Sequence, residues 1–155
     1  MGISPAARVT TIRMQSHPLI THPVKSKSRS EIIDLTADVR AIVKQHRVRE
    51  GMAIVFVPHT TAAVTINENY DPDVKHDLLK KLEALVPQRE NYYQHGEGNS
   101  DSHVKTALVG NSATVLIEHG DLVLGQWQGI YFCEFDGPRE REVIVKVVDF
   151  GQSRE

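Results

Sequence analysis

The chain has 155 residues, enough for one domain with a sizeable core, and its 40% hydrophobic and 25% charged residues are ordinary for a globular protein. A net charge of -2 exerts no overall pull on nucleic acid or an anionic membrane, so neither is expected as a partner. The lone Cys133 cannot form an intrachain disulfide, no apolar run approaches membrane-spanning length, and the first residues lack a hydrophobic signal region, so cytoplasm is the expected location. Eight histidines are the compositional oddity, and they point to metal or proton chemistry.

Residues 1–8 are small and polar and are expected to fray, as are residues 151–155, leaving a single domain over residues 9–150. Val9 to Gln15 alternates β-branched and polar side chains and reads as a strand. Ser16 to Ser30 reads as a loop or irregular edge strand, because Pro18 and Pro23 exclude a central one. After a short strand from Glu31 to Leu35, Thr36 suits a helix N-cap; Val39, Ile42, Val43 and His46 follow at helical spacing toward Arg47. Met52 to Val57 is a continuous apolar run, the pattern of a strand buried on both faces, and Pro58 stops it. Ala62 to Asn67 resumes as a strand.

Asp71-Pro72-Asp73 predicts a helix start, with Val74, Leu78, Leu82 and Leu85 as its buried stripe, an Asp77–Lys81 pair outside and Pro87 as its stop. Asn91 to Ser102 is polar and glycine-containing, hence a loop. Ser102 then suits the cap of a short helix through His103, Val104, Ala107 and Leu108, closed by Gly110. Strands follow at Ser112 to Glu118, Leu122 to Leu124, Trp127 to Glu134 and Glu142 to Phe150, with a turn at His119-Gly120-Asp121. Hairpins interrupted by two main helices and one short one predict an α+β fold of packed, mostly antiparallel or mixed sheets.

Three stretches carry candidate chemistry. His59-Thr60-Thr61 sits at a strand break, where an imidazole and two hydroxyls suit phosphate or a proton, or simply build a bend; Asn67 and Asn69 lie just downstream. His95, Glu97, Asp101 and His103 fall within nine residues on a loop leading into a helix, the ligand types of zinc and the groups of acid–base catalysis, though in no fixed ligand motif. A solvated polar loop is the plain alternative. In the strand from Trp127, alternation places Gln128, Ile130, Phe132 and Glu134 on one face. Glu134 ends an otherwise apolar run, so its burial requires a partner; Arg139 is the candidate, either as a bridge or as a phosphate ligand. His17, His22, His46 and His76 read as structural or exposed, Cys133 as a core residue, and Lys25 to Arg29 as a solvated loop.

These stretches resemble a known family. H-T-T-A-A-V-T-I-N-E-N-Y-D-P-D-V from His59, E-G-N-S-D-S-H-V-K from Glu97 and G-Q-W-Q-G-I-Y-F-C-E-F-D-G-P-R from Gly125 are similar to the signature of the YjbQ-like family, with Gln126 where many members carry threonine. The resemblance spans about Val9 to Val148. It implies a compact α+β fold, a homotrimer and a secondary thiamine-phosphate synthase activity. That reaction joins a pyrimidine methyl diphosphate to a thiazole phosphate and releases pyrophosphate, which makes the chain a transferase. On this reading a divalent metal, magnesium or zinc, is held by His59, His95 and His103, while Thr60, Thr61 and Arg139 neutralise the leaving group. Asp101 or Glu134 orients the amino-pyrimidine or carries a proton with His59 and His103, and Asn67, Asn69, Gln128 and the flat ring of Trp127 complete the substrate contacts. The rivals are a non-catalytic trimer that binds a phosphorylated metabolite or anion, and a metal-dependent phosphate-ester hydrolase.

Overall fold

A computed structural model describes residues 14–151. The expected strand from Val9 therefore falls mostly outside the described residues, as do the two predicted frayed ends apart from Gly151. The observed elements are β1 (Gln15–Ser16), β2 (Ile20–Lys25), β3 (Glu31–Asp34), α1 (Thr36–His46), β4 (Gly51–Phe56), β5 (Ala62–Glu68), α2 (Pro72–Leu85), α3 (Ser100–Val109), β6 (Ser112–Glu118), β7 (Asp121–Leu122), β8 (Gln128–Glu134) and β9 (Glu140–Asp149). Every strand pairing among them is antiparallel. The fold is α+β, as expected.

Two sheets result. The larger runs β1-β9-β4-β6-β7 with β2 also on β9, and the smaller runs β3-β8-β5. The main core lies between them: Ala53, Val55, Val115, Val145 and Val147 come from the larger sheet, Val64, Ile130 and Phe132 from the smaller, and Val39, Ile42 and Val43 from α1. A second core on the other face of the smaller sheet joins Ala63, Tyr131, Cys133 and Phe135 to Leu79, Leu82 and Val109. The predicted alternation along β8 is thus what separates the two cores. Each large side chain buried there contributes about 1.5–3 kcal/mol.

Several local expectations change. β4 buries one face only: Ala53 and Val55 point inward, whereas Met52 and Ile54 are half-buried and Phe56 is exposed. An apolar run cannot distinguish two covered faces from one covered face and one open apolar face. Thr36 is not a cap. It is the first helical residue, and Asp34 Oδ1 accepts from its backbone N–H at 2.8 Å while Thr36 Oγ1 accepts from Ile130 N–H at 2.9 Å. Ser102 lies inside α3, which Asn99 begins, and donates to the Phe135 carbonyl at 2.6 Å. α2 buries none of its residues fully and leaves Leu85 exposed; Lys80–Glu83, not Asp77–Lys81, forms its ion pair. The predicted strand at Leu122 to Leu124 shortens to β7. Its turn holds His119 at φ 52° and Gly120 at φ 83°, the left-handed pair that a two-residue hairpin requires.

Candidate functional site

Pro58 sets the local geometry of the first stretch. Phe56 faces Ile144 across the β4–β9 ladder, so the next paired position would set Pro58, which has no N–H, opposite Glu142. The chain turns away instead, and His59 Nε2 takes the vacated place, accepting from Glu142 N–H at 3.1 Å. Burial, then the Arg141 charge, hold the His59 imidazole below its ordinary pKa, consistent with that neutral accepting role. Thr60 is exposed and Thr61 buried. Phe56 to Thr60, Asn111 and Arg141 line an open cleft of about 580 Å³.

Glu134, fully buried, ends β8. Its partner is Arg141, not Arg139. The Arg141 guanidinium donates to both carboxylate oxygens at 2.7 and 2.9 Å and to Thr61 Oγ1 at 2.7 Å. Ser26 Oγ and the Phe135 and Asp136 N–H groups supply further hydrogen bonds to Glu134. Burial pushes this carboxyl up, but the Arg141 hydrogen bonds and the others outweigh it and leave the pKa below the usual carboxylate range. Arg139 instead folds onto Asp136 at 2.9 Å and stays half exposed. Spacing favoured Arg139 because it follows the Gly137-Pro138 turn; the strand that leaves the turn carries Arg141 back over Glu134.

Asp101 is likewise fully buried and fully committed. Arg29 donates to its two oxygens at 2.9 and 3.0 Å, and Lys105, itself only 2% exposed, donates at 2.8 Å. Burial raises this carboxyl too, and the same partners bring it below its ordinary value. Asn99 then joins the two clusters by donating to Asp136 Oδ2 at 2.8 Å. The segment from Lys25 to Arg29 is therefore no solvated loop: Ser26 and Arg29 reach into both carboxylate clusters. Of the residues missed in the sequence, Lys105 had a signal, its i+4 spacing from Asp101 on a helix. Arg29, Ser26 and Arg141 had none, since their partners lie 72, 108 and 7 positions away.

His95 and His103 pack edge to face with ring centroids 5.2 Å apart, and His95 Nε2 lies 3.9 Å from Glu97. With His59, they are the predicted metal ligands, and they do not fit that role together. His59 Nε2 is held by the Glu142 backbone, both Asp101 oxygens are taken, and no group of three or more His, Cys, Asp or Glu among the described residues is arranged to hold a metal.

The remaining predicted contacts lie elsewhere. Gln128 pairs with Glu68 while Glu134 pairs with Ala62, so six strand steps, about 20 Å, separate the ends of β8. At the far end, Asn67 Oδ1 accepts from Glu68 N–H, Gln128 Oε1 accepts from Gly125 N–H, and Asn69 donates to Asp34. Trp127 meets Tyr70 edge to face at 4.8 Å, and both rings are substantially exposed. One subunit therefore links Thr61, Glu134 and Arg139 through Arg141 and Asp136, joins them through Asn99 to the helix that carries Asp101 and His103, on which His95 packs, and sets His59 and Thr60 beside Arg141 in the cleft; Asn67, Asn69, Trp127 and Gln128 lie at the other end. Cys133 has no part in either end, since burial pushes its thiol up to about 12.

No helix among the described residues is long and apolar enough to cross a membrane. A family model described as UPF0047 protein YjbQ-like matches residues 20–150. The UPF0047 protein MJ1081 of Methanocaldococcus jannaschii is 48% identical over 130 residues, covering 84% of this chain and 94% of that protein. The UPF0047 protein YugU of Bacillus subtilis is 46% identical over 130 residues, covering 84% and 98%. Among solved structures, a YjbQ/UPF0047 protein of Clostridium acetobutylicum superposes with a TM-score of 0.81 at 50% identity, covering 83% of this chain and 98% of that one. A YbjQ-like protein of Sulfolobus solfataricus superposes with a TM-score of 0.83 at 28% identity, covering 88% and 99%. Matched along nearly its whole described length, the chain belongs to the YjbQ-like UPF0047 family.

Proposed function

We propose that this protein is a secondary thiamine-phosphate synthase-like transferase, acting on a diphosphate ester at the Glu134 end of the smaller sheet. In this reaction the carbon–oxygen bond between the pyrimidine methylene and the diphosphate breaks, its electron pair leaves with pyrophosphate, and the thiazole ring forms the new bond to carbon. One observation carries the reading. Arg29 and Lys105 on Asp101, and Arg139 and Arg141 after the Gly137-Pro138 turn, form two cationic clusters linked through Asn99, and Arg141 also lines the open cleft with His59 and the exposed Thr60. Preorganised cations of this kind stabilise charge that develops on a leaving group. Arg139, half exposed though paired with Asp136, and Thr60 are the groups exposed to meet the diphosphate; Arg141 and Lys105 hold Glu134 and Asp101 in place. We assign protonation of the departing oxygens to His103 and His95, whose rings pack edge to face.

A divalent metal, magnesium or zinc, enters this reading only as a companion of the substrate diphosphate, since the three histidines do not form a closed ligand set. The metal-dependent hydrolase reading loses support for the same reason. The rival that a specific observation favours is the non-catalytic binder of a phosphorylated metabolite. Both buried carboxylates are saturated with donors, which leaves neither Asp101 nor Glu134 free as a base. Turnover of pyrimidine methyl diphosphate with thiazole phosphate by the purified protein decides between them. The transferase reading expects pyrophosphate release that falls at least tenfold in Arg139→Ala and His103→Ala. Tight substrate binding without release establishes the binder, and unchanged turnover in both variants refutes the assigned roles.

The homotrimer belongs to the same proposal. The outer face of the larger sheet carries an apolar patch, with Phe56 and Leu116 exposed and Met52 and Ile54 half-buried, and self-association would cover it. Assembly would also offer the Trp127 end a way to meet the Glu134 end of a neighbouring copy. A cytoplasmic location fits the single buried, unpaired thiol.

A further inference from the structure

His17 and His46 lie outside all three stretches. His17 stands between β1 and β2, and His46 is the last residue of α1. Their rings are in contact, with centroids 4.6 Å apart and planes tilted by 42°. The Nε2 atom of each is buried and has no hydrogen-bond partner among the described residues. A buried polar nitrogen without a partner is costly, and two on touching rings are hard to attribute to chance. Whichever tautomer each ring adopts, Nε2 carries either an unpaired N–H or an unpaired lone pair. A single Lewis acid between the rings removes both defects, because it displaces the proton and accepts the lone pair.

We propose that His17 and His46 form a two-imidazole site for a late first-row divalent cation such as Zn²⁺, with water completing the shell. Imidazole nitrogen is a preferred ligand for zinc, nickel and copper, with Zn–N bonds of about 2.0 Å. The backbone around His17 is anchored: its N–H donates to the Val147 carbonyl at 3.1 Å, and its carbonyl accepts from Lys146 Nζ. The bound ion would clasp the segment entering β2 to the C-terminal end of α1. With two protein ligands, the site binds and releases its ion reversibly, unlike a closed four-ligand structural site.

The test is Zn²⁺ titration of the full chain, followed by calorimetry and by NMR of the histidine ring resonances. The site expects the tightest step to perturb the His17 and His46 rings first. It also expects that step to weaken at least tenfold in His46→Ala and in His17→Ala, and to be unchanged in His76→Ala on the exposed side of α2. His46→Gln keeps the side-chain bulk and serves if the alanine variant does not fold. The proposal is overturned if the first equivalent perturbs other rings or none, or if affinity in the His46 variants matches the parent chain.

Discussion

The two ends of the three-stranded sheet are built on opposite principles. At the Glu134 end, each buried carboxylate is held by cationic and other donors, some from close in the chain and some, such as Ser26 and Arg29, from 108 and 72 positions away. At the Trp127 end, the aromatic rings face solvent, the amides bond mostly to nearby backbone, and close packing sets the geometry. Gly129 shows this directly: a Cβ there would lie 2.7 Å from Asn69 Cβ. A buried charge tolerates no vacancy among its partners, whereas an exposed ring costs little to remove. The first end is therefore rigid and expensive to perturb, and the second is adaptable.

This contrast can be broken by substitution. Arg141→Ala leaves Glu134 buried beside Ser26 and backbone N–H groups alone, and should cost about 3–5 kcal/mol in urea unfolding, the penalty of an uncompensated buried charge. A loss under about 1 kcal/mol would show that the Glu134 end is not held electrostatically. Lys105→Met leaves Asp101 its Arg29 pair, so a smaller loss of about 2 kcal/mol is expected by the same measurement. Gly129→Ala probes the other end through packing, and thermal melts should register about 1–3 kcal/mol of destabilisation that does not depend on salt. A salt-sensitive effect would contradict the steric account.

Acid should act on the electrostatic end most strongly, and also on His46 beside His17 and on Asp34, which accepts from Asn69. His59 and His46 titrate below the ordinary histidine value in the fold, so the unfolded chain binds protons first and stability should decline as pH falls below about 6.5. Glu134 and Asp101 are also held low, so their contribution is present at neutral pH and is lost as pH falls from about 4.5 through their folded values. Unfolding midpoints measured across this range should show two successive declines. Arg141→Ala should flatten the lower one, and a parent-like profile in that variant would detach it from Glu134. The smallest effect is expected of Trp127→Ala, under about 1 kcal/mol, because only an edge-to-face contact is lost. Affinity for the proposed diphosphate substrate is the more sensitive readout there.

Period and punctuation were enough to read most of the elements. The alternation from Trp127 to Glu134 identified both faces of β8, and Asp71-Pro72 located the start of α2, because these signals act between neighbours in the chain. Caps were less legible, since Thr36 and Ser102 spend their hydroxyls on distant backbone groups where only local ones were in view. Glu134 was recognisable as a carboxylate in need of a partner; which arginine answers it was not, because the turn geometry after Gly137-Pro138 makes that choice. His59 was visible as a functional candidate, but its service to the Glu142 backbone depends on where β4 stops relative to β9.

By itself, then, the sequence determined the α+β class, the family and the chemical character of three polar stretches, all of which are written in local pattern and motif. Only the tertiary structure decided which parts of these stretches share one end of the subunit. Strand register carries Trp127, Gln128, Asn67 and Asn69 to one end of β8 and the charged clusters to the other. The same register commits Asp101 and Glu134 to Arg29, Lys105 and Arg141. Pairing between residues far apart in the chain is a property of register and packing, which no window of sequence contains.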